Sequence, residues 1–380
     1  MKNSIIYLDN AATTFPKPRS VARGVSECIE KFCGNPSRGS NPLAMKCAEA
    51  VYECRDLISQ MFGCSPEGVV FTHNTTYALN MAIKGVMKGG GHMLISNMEH
   101  NATLRPVAQL ERDGLIDYSV FETYGRTDEE IICEVDTKIR PDTRALCAIH
   151  TSNICSYALP ISKLGKLCRE RGIIFICDAA QAAGHADIDM RRDCIDILCM
   201  PAHKGLYGTQ GLGMMLLSDG ILPDTVVEGG NGINSLELFM GDVSPERYEA
   251  GTLNTPAIVG LKHGLEFIRR RGIDDIASHE ISLFRYAKAR LESMKRIRLY
   301  DEVEGSTLLF NINGIPSDEV GRILSEHGIC VRTGFHCSPL AHRALGTDAS
   351  GGVRISFGAF NTSSHVDALC ELVGDISRHC

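Results

Sequence analysis

The chain has 380 residues, 44% apolar and 22% charged, an ordinary soluble composition long enough for two domains. Its net charge of −7 argues against a nucleic-acid-binding surface, and no apolar run approaches the ~20 residues that span a bilayer, so neither nucleic acid nor membrane is an expected partner. Met1–Asp9 lacks the apolar core and cleavage site of an export signal, and the sixteen cysteines are scattered without a CxxC pair; the expectation is a cytoplasmic protein with reduced thiols, no metal and no disulfide framework.

Tyr7–Thr14 reads as a short strand running into small polar residues, followed by Pro16, Pro18 and an amphipathic helix from Ser20 to Phe32. After a loop at Asn35–Ser40, a second helix spans Leu43 to Met61 and ends near Gly63, a natural C-cap. The strand Val69–Phe71 leads through His73-Asn-Thr-Thr76 into a helix over Tyr77–Met87. Free N–H groups and the helix dipole at such a turn favour an anion such as phosphate, although Thr75 or Thr76 could equally be a simple N-cap. Strands Met93–Ser96, Tyr118–Phe121, Ala145–His150 and Ile173–Cys177 then alternate with helices ending at Arg112, Lys138 and Arg171. Continuous apolar strands of this kind predict a parallel sheet covered on both faces, with ligands bound beyond the strands' carboxyl ends. His100, Asn153, Asp178 and Lys204 all fall within a few residues of a strand end.

The strand Ile195–Met200 ends in Pro201-Ala-His-Lys-Gly-Leu-Tyr-Gly208, and Met214–Leu217 closes this region. The main domain boundary is expected near Thr255, separating 15–255 from 256–380. The second unit reads as a helix from Pro256 to Arg271, a helix over Ile276–Met294, strand Leu308–Ile312, helix Ser317–His327, strands Ile329–Arg332 and Val353–Phe357, and a closing helix Ser364–Ser377.

Several residues carry chemistry. Lys204 ends an apolar strand at a Gly-rich turn, which suits Schiff-base formation, though taken alone it reads more readily as a surface lysine. Asp178, after five apolar residues, needs a cation such as a protonated pyridine nitrogen, or else caps a helix. Gln181 could reach a ring hydroxyl. His100 could stack on a flat cofactor and exchange protons, or be a hydrogen-bonded core histidine. Thr75, Thr76 and His203 suit a phosphate. Arg354, inside a short apolar strand, needs an anion: a substrate carboxylate or an internal salt bridge. Cys337 stands apart from the other cysteines, in Arg332-Thr-Gly-Phe-His-Cys337, with Arg332 and His336 nearby to favour a thiolate.

Together these segments, from Tyr7-Leu-Asp-Asn-Ala-Ala-Thr-Thr14 to Arg354-Ile-Ser-Phe-Gly-Ala-Phe-Asn-Thr362, resemble the cysteine desulfurase and selenocysteine lyase family, within the class V aminotransferase group. The compact Arg332–Cys337 motif is similar to that of the group II desulfurases. The resemblance implies a fold type I pyridoxal phosphate enzyme: an α/β large domain with a mainly parallel seven-stranded sheet, and a smaller C-terminal α/β domain against which residues 1–14 pack. It implies pyridoxal 5'-phosphate on Lys204, Asp178 at the pyridine nitrogen, and His100 stacked on the ring. Gln181 and Asn153 would lie near the ring hydroxyl and substrate, and Thr75, Thr76 and His203 at the phosphate. Thr252 would reach the phosphate across a homodimer interface, Arg354 would anchor the substrate carboxylate, and Cys337 would accept sulfur. The implied substrate is L-cysteine, with L-selenocysteine as an alternative, and sulfur would pass to an acceptor protein or small thiol. Pro201-Ala202 and Phe335 depart from the family's usual Ser-Gly and polar residue. Transamination of another small amino acid, or a sulfur-carrier scaffold with a vestigial pocket, are the rival readings.

Overall fold

A computed structural model of the chain describes residues 5–36, 41–233, 236–300 and 303–379; the first four residues of the N-terminal stretch, and residues 37–40 of the expected loop Asn35–Ser40, lie outside the described residues. The chain opens with β1 (Ile6–Tyr7), α1 (Arg19–Lys31) and α2 (Pro42–Phe62). It then alternates β2 (Val69–Thr72), α3 (Thr75–Val86), β3 (Gly91–Ser96), α4 (Asn101–Arg112), β4 (Ile116–Phe121), α5 (Asp128–Lys138), β5 (Thr143–Ile149), α6 (Ile161–Arg171), β6 (Ile174–Asp178), β7 (Ile197–Pro201) and β8 (Gly213–Leu217). Next come α7 (Thr255–Arg271), α8 (Ile273–Glu292), β9 (Ile297–Leu299), β10 (Thr307–Ile312), α9 (Ser317–Glu326), β11 (Ile329–Cys330) and β12 (Arg332–Gly334). The chain finishes with α10 (Pro339–Ala344), β13 (Gly352–Ser356) and α11 (Ser363–His379).

Local chemistry sets these boundaries. In α2 the Asn41 side chain accepts from Ala44 N, Pro42 occupies the first turn, and Gly63 ends the helix at φ 70°. In α5 Thr127 and Glu130 form a reciprocal capping box. The strands β2–β8 form one seven-stranded sheet in the order β2-β8-β7-β6-β5-β3-β4. Five neighbouring strands from β7 to β4 run parallel, and β8 runs against both its neighbours. Period-2 alternation divides the strand residues between two buried clusters, one per face. Phe175, Cys177, Leu198 and Met200 join α2, α5, α6 and α7 on one side. Ile176, Ile197, Cys199 and Met215 join α3 and α4 on the other.

The C-terminal region has its own apolar cluster, built from α8, α9 and α11 against an antiparallel sheet ordered β12-β13-β10-β9. Three differences from the sequence reading lie here. The expected strand Ile329–Arg332 is two strands, because β11 pairs parallel with β1 while β12 pairs antiparallel with β13. The short strand β9 and the six-residue helix α10 were not anticipated; neither is long enough to carry a clear apolar period. The N-terminal β1 pairs with β11, and α7 packs along α1 and α2.

One close approach matters for the site. Gly213 opens β8 beneath the start of α3, where a β-carbon would lie 2.5 Å from the Asn74 carbonyl carbon and 2.9 Å from Thr75 N. We expect Gly213→Ala to lower stability by about 1–3 kcal/mol through overpacking, read as the urea midpoint; a midpoint equal to the parent's would show that β8 can withdraw at no cost.

Candidate active site

The parallel strands direct their carboxyl ends to one edge of the sheet. From β3 the chain moves outward to β4 and then returns to the other side of β3 as β5, making a crevice where α/β sheets bind ligands. A cavity of about 110 Å³ lies there, lined by Thr75, Thr76, His100, Asn153, Asp178, Gln181, His203 and Lys204. These eight residues, each named from the sequence, are brought together. Thr252 is exposed on the single chain and is not part of this wall.

The anionic end of the cavity follows from helix geometry. Asn74, rather than Thr75 or Thr76, caps α3 by accepting from Tyr77 N at 2.9 Å. The two threonines therefore begin the helix with first-turn N–H groups outside the intrahelical ladder, and both residues line the cavity. The cap residue was missed because His73-Asn-Thr-Thr76 offers three eligible side chains in a row. His203 adds a buried Nδ1 with no hydrogen-bond partner among the described residues.

Asp178 ends β6 in mid-sheet, paired with Ile149 on one side and Cys199 on the other. It is 1% exposed, and burial lifts its carboxyl to about 6, against the pull of the Ala180 N–H and the Lys204 ammonium. Lys204 is half-buried, and burial lowers its amine to about 8; Arg354 and Arg332 push the same way, while Asp178 and Asp9 oppose. His100 and His203 are each pushed down to about 4, by burial first and then by the Lys204 charge. Both rings are therefore neutral near pH 7. His100 caps α4, its Nδ1 accepting from Ala102 N at 3.0 Å, which leaves the ring proton on Nε2. Gln181 Nε2 donates to Ala11 O at 3.0 Å.

The N-terminal segment clamps the lysine from behind. Thr14 Oγ1 donates to Lys204 O at 3.0 Å, and Lys17 Nζ donates to His203 O at 2.5 Å. Burial lowers the Lys17 amine to about 7. Nothing in the local sequence marks Lys17, since its partner, the His203 carbonyl, lies 186 positions away.

Arg354 is 1% exposed, and the internal salt bridge raised from the sequence is present: Nη2 lies 2.6 Å from Asp9 Oδ1. Nη1 donates to Asn153 O at 2.9 Å, and Nε is buried without a partner among the described residues. Asp9 was passed over in the sequence as one of several small polar residues after a strand. Asn153 also holds the cysteine loop, its Nδ2 donating to His336 O at 2.7 Å and its Oδ1 accepting from Ser338 Oγ at 2.7 Å. Asn101 N, one residue past His100, donates to Cys337 O at 2.7 Å. Cys337 is exposed, with Arg332 Nη2 at 3.5 Å from Sγ. The expectation that His336 supports a thiolate at Cys337 is corrected. Its ring turns inward to His342 and Arg332 O, and burial pushes it down to about 2, so it carries no charge. Arg332 remains as the cation. Burial raises several of the other thiols, with Cys54, Cys64 and Cys168 at about 12.

A half-buried lysine and a buried aspartate line one cavity, beside a helix N-terminus at the carboxyl edge of an α/β sheet; these are the features that a carbonyl cofactor carrying an anion would need. The profile of the class-V aminotransferases matches residues 6–369. A probable cysteine desulfurase of Methanothermobacter thermautotrophicus is 30% identical, with 98% of this chain and 94% of the relative covered. The cysteine desulfurase of Thermococcus onnurineus, solved in its apo form, superposes with a TM-score of 0.92 at 27% identity, covering 99% of this chain and 95% of that one. The cysteine desulfurase CsdA of Escherichia coli superposes with a TM-score of 0.89 at 25% identity, covering 100% and 96%. The chain belongs to the class-V aminotransferase family and has the fold type I architecture. Family membership implies pyridoxal phosphate, and the residues present fit it: an orphaned His203 Nδ1, open helix N–H groups, a buried carboxylate and an amine of lowered basicity.

The lowered basicity of Lys204 is measurable. A lysine reacts through its neutral form, so in cofactor-free protein acetylation of Lys204, followed by peptide mass spectrometry, should reach half its maximal rate near pH 8. Exposed lysines should reach theirs near ~10.4; a Lys204 midpoint at that higher value would show that burial does not govern it.

Proposed function

We propose that the protein is a pyridoxal phosphate-dependent cysteine desulfurase, converting L-cysteine to L-alanine and leaving the sulfur as a persulfide on Cys337. The observation that carries this reading is the stitching of an exposed cysteine to the cavity wall by Asn153 and by Asn101 N. Pyridoxal phosphate, when bound, supplies an electron sink for the charge that develops at the substrate α-carbon.

The chain's own residues do the rest. Thr75, Thr76 and His203 hold the phosphate, and Thr252 joins them from the other subunit of a homodimer. Asp178 would face the ring nitrogen, Gln181 and Asn153 would lie by the ring hydroxyl and the substrate, and His100 would lie against the ring face. Lys204 would hold the cofactor and, as a free amine, would move the substrate α-proton, a task suited to an amine lowered to about 8. Arg354, kept in place by Asp9 and Asn153 O, offers its unpartnered Nε to the substrate carboxylate. The Cys337 thiolate then attacks the substrate sulfur. The S–S bond forms as the C–S bond breaks, and that bond's electron pair stays with carbon, which takes a proton on the way to alanine. A protein or small thiol removes the sulfur. The location is proposed to be cytoplasmic; among the described residues no helix is long and apolar enough to cross a membrane. The division into units 15–255 and 256–380, with residues 1–14 attached to the second, is likewise proposed and is supported by the β1–β11 pairing.

Brief exposure of the holoenzyme to cysteine should add about 32 Da to the parent and nothing to Cys337→Ala, read by intact mass. Lys204→Ala should lose both the cofactor absorbance and C–S cleavage. An adduct mapped to another cysteine, or cysteine desulfuration by Cys337→Ala at the parent rate, would overturn the assignment; selenocysteine turnover far above cysteine turnover would favour a selenocysteine lyase.

The shared phosphate contact requires two subunits. Light scattering alongside turnover should find activity only in the dimer, and a fully active monomer would remove Thr252 from the site.

A further inference from the structure

Two adjacent residues with side chains, His336 and Cys337, hold left-handed backbone at φ 50° and 58°. Such a conformation disfavours any residue with a β-carbon and persists where the surroundings over-determine it. Asn153 and Asn101 N hold the two carbonyls, as described above. A second restraint comes from the opposite side and has no part in the cofactor pocket. The His336 and His342 rings lie nearly in one plane and meet edge to edge, with centroids 5.3 Å apart and planes at 14°. His336 Nδ1 lies 3.1 Å from His342 Nε2, and His342 Nδ1 lies 2.7 Å from Thr347 Oγ1. At the other end, His336 Nε2 lies 3.3 Å from Arg332 O. His336, His342 and Thr347 are all buried.

The direction of this line of hydrogen bonds follows from its end. A carbonyl only accepts, so His336 Nε2 carries the proton, and in a neutral ring Nδ1 is then bare. His342 Nε2 must therefore donate to it, which leaves His342 Nδ1 bare and directs the single Thr347 hydroxyl proton to that nitrogen at 2.7 Å rather than to His342 O at 3.3 Å, which already accepts from Thr347 N. Neutral rings agree with their surroundings: burial pushes His342 down to about 4, and His336 lower still with Arg354 adding to the effect. The line ends on the backbone of Arg332, whose guanidinium lies beside Cys337 Sγ. It thus fixes the residue that faces the thiol and the residue that precedes it.

We infer that His342, with Thr347 behind it, is a positioning residue for sulfur acceptance: it locks the His336 ring and the Arg332 backbone so that the strained loop presents Cys337 outward beside the Arg332 guanidinium. The inference rests on Cys337 as the sulfur acceptor, but its geometry can be tested without turnover.

The experiment compares parent, His342→Phe, His342→Gln and Thr347→Val. Phenylalanine keeps a ring but cannot donate. Glutamine can place an amide N–H where His342 Nε2 stands. Two rates are measured on the purified holoenzyme: alkylation of Cys337 by iodoacetamide, mapped by peptide mass spectrometry, and persulfide formation with cysteine. We expect His342→Phe to slow persulfide formation by about tenfold to a hundredfold, as a misplacement of about 1 Å can, and to slow alkylation as well. The KM for cysteine should stay within about twofold, since the lost interaction acts on the acceptor and not on substrate binding. The cofactor absorbance should be unchanged. His342→Gln should recover most of both rates. Parent-like rates in His342→Phe overturn the inference, and so does a glutamine variant as slow as phenylalanine with a parent-like melting temperature, because packing alone would then be at work. If His342→Phe does not fold, Thr347→Val decides: it removes only the donating hydroxyl, and a parent-like alkylation rate overturns the inference. If the parent itself forms no adduct on Cys337, the desulfurase reading fails, while the alkylation rates still report on the loop.

Discussion

Asn153 is where the parts of this molecule meet. It follows β5 in the large sheet and lines the cavity, yet its side chain is committed at both ends to the loop that carries Cys337. Its carbonyl takes one arm of Arg354, a residue of the C-terminal sheet. A single residue, through its side-chain amide and its backbone carbonyl, therefore ties the pocket wall to the cysteine loop and to the arginine. Buried amides of this kind are costly to leave unpaired, so the three parts stay in register or separate together.

The one reversed strand is the second constraint. With β8 antiparallel to β2 and β7, the chain crosses beneath the start of α3 at Gly213 and brings the first turn of α3 over the lysine strand. The Lys204 turn needs a similar approach: Gly184 and Gly205 pack backbone against backbone, and a β-carbon on either would overlap the other segment. These contacts place the amine, the carboxylate and the helix end on one small volume with no ordinary side chain between them.

Much of this was legible in the chain. Asp178 and Lys204 stand out because each interrupts an apolar run at a strand's end, where an ionisable group demands a partner. The helices α5 and α6 fall where their apolar periods and caps put them. What could not be read depends on how distant segments meet. The Asp9–Arg354 pair joins residues 345 positions apart. His336 looked like a cation beside a thiol, and only the left-handed backbone turns its ring inward to His342. The split between β11 and β12 is equally invisible locally, since the two halves differ in partner and not in composition.

The pairing of the chain's two ends has a consequence for biosynthesis. Asn10 Nδ2 donates to Ser356 O, and Asp9 holds Arg354, so the N-terminal segment that braces Lys204 gains its own support from residues 345 and 346 positions later. Contacts of such long separation form only after the loop between them has closed. The seven-stranded sheet has all its strands once residue 217 has been made, but the support of its lysine's brace waits for Arg354 and Ser356. A product terminated between residue 217 and Arg354 would hold all seven strands but lack the support of the segment behind Lys204.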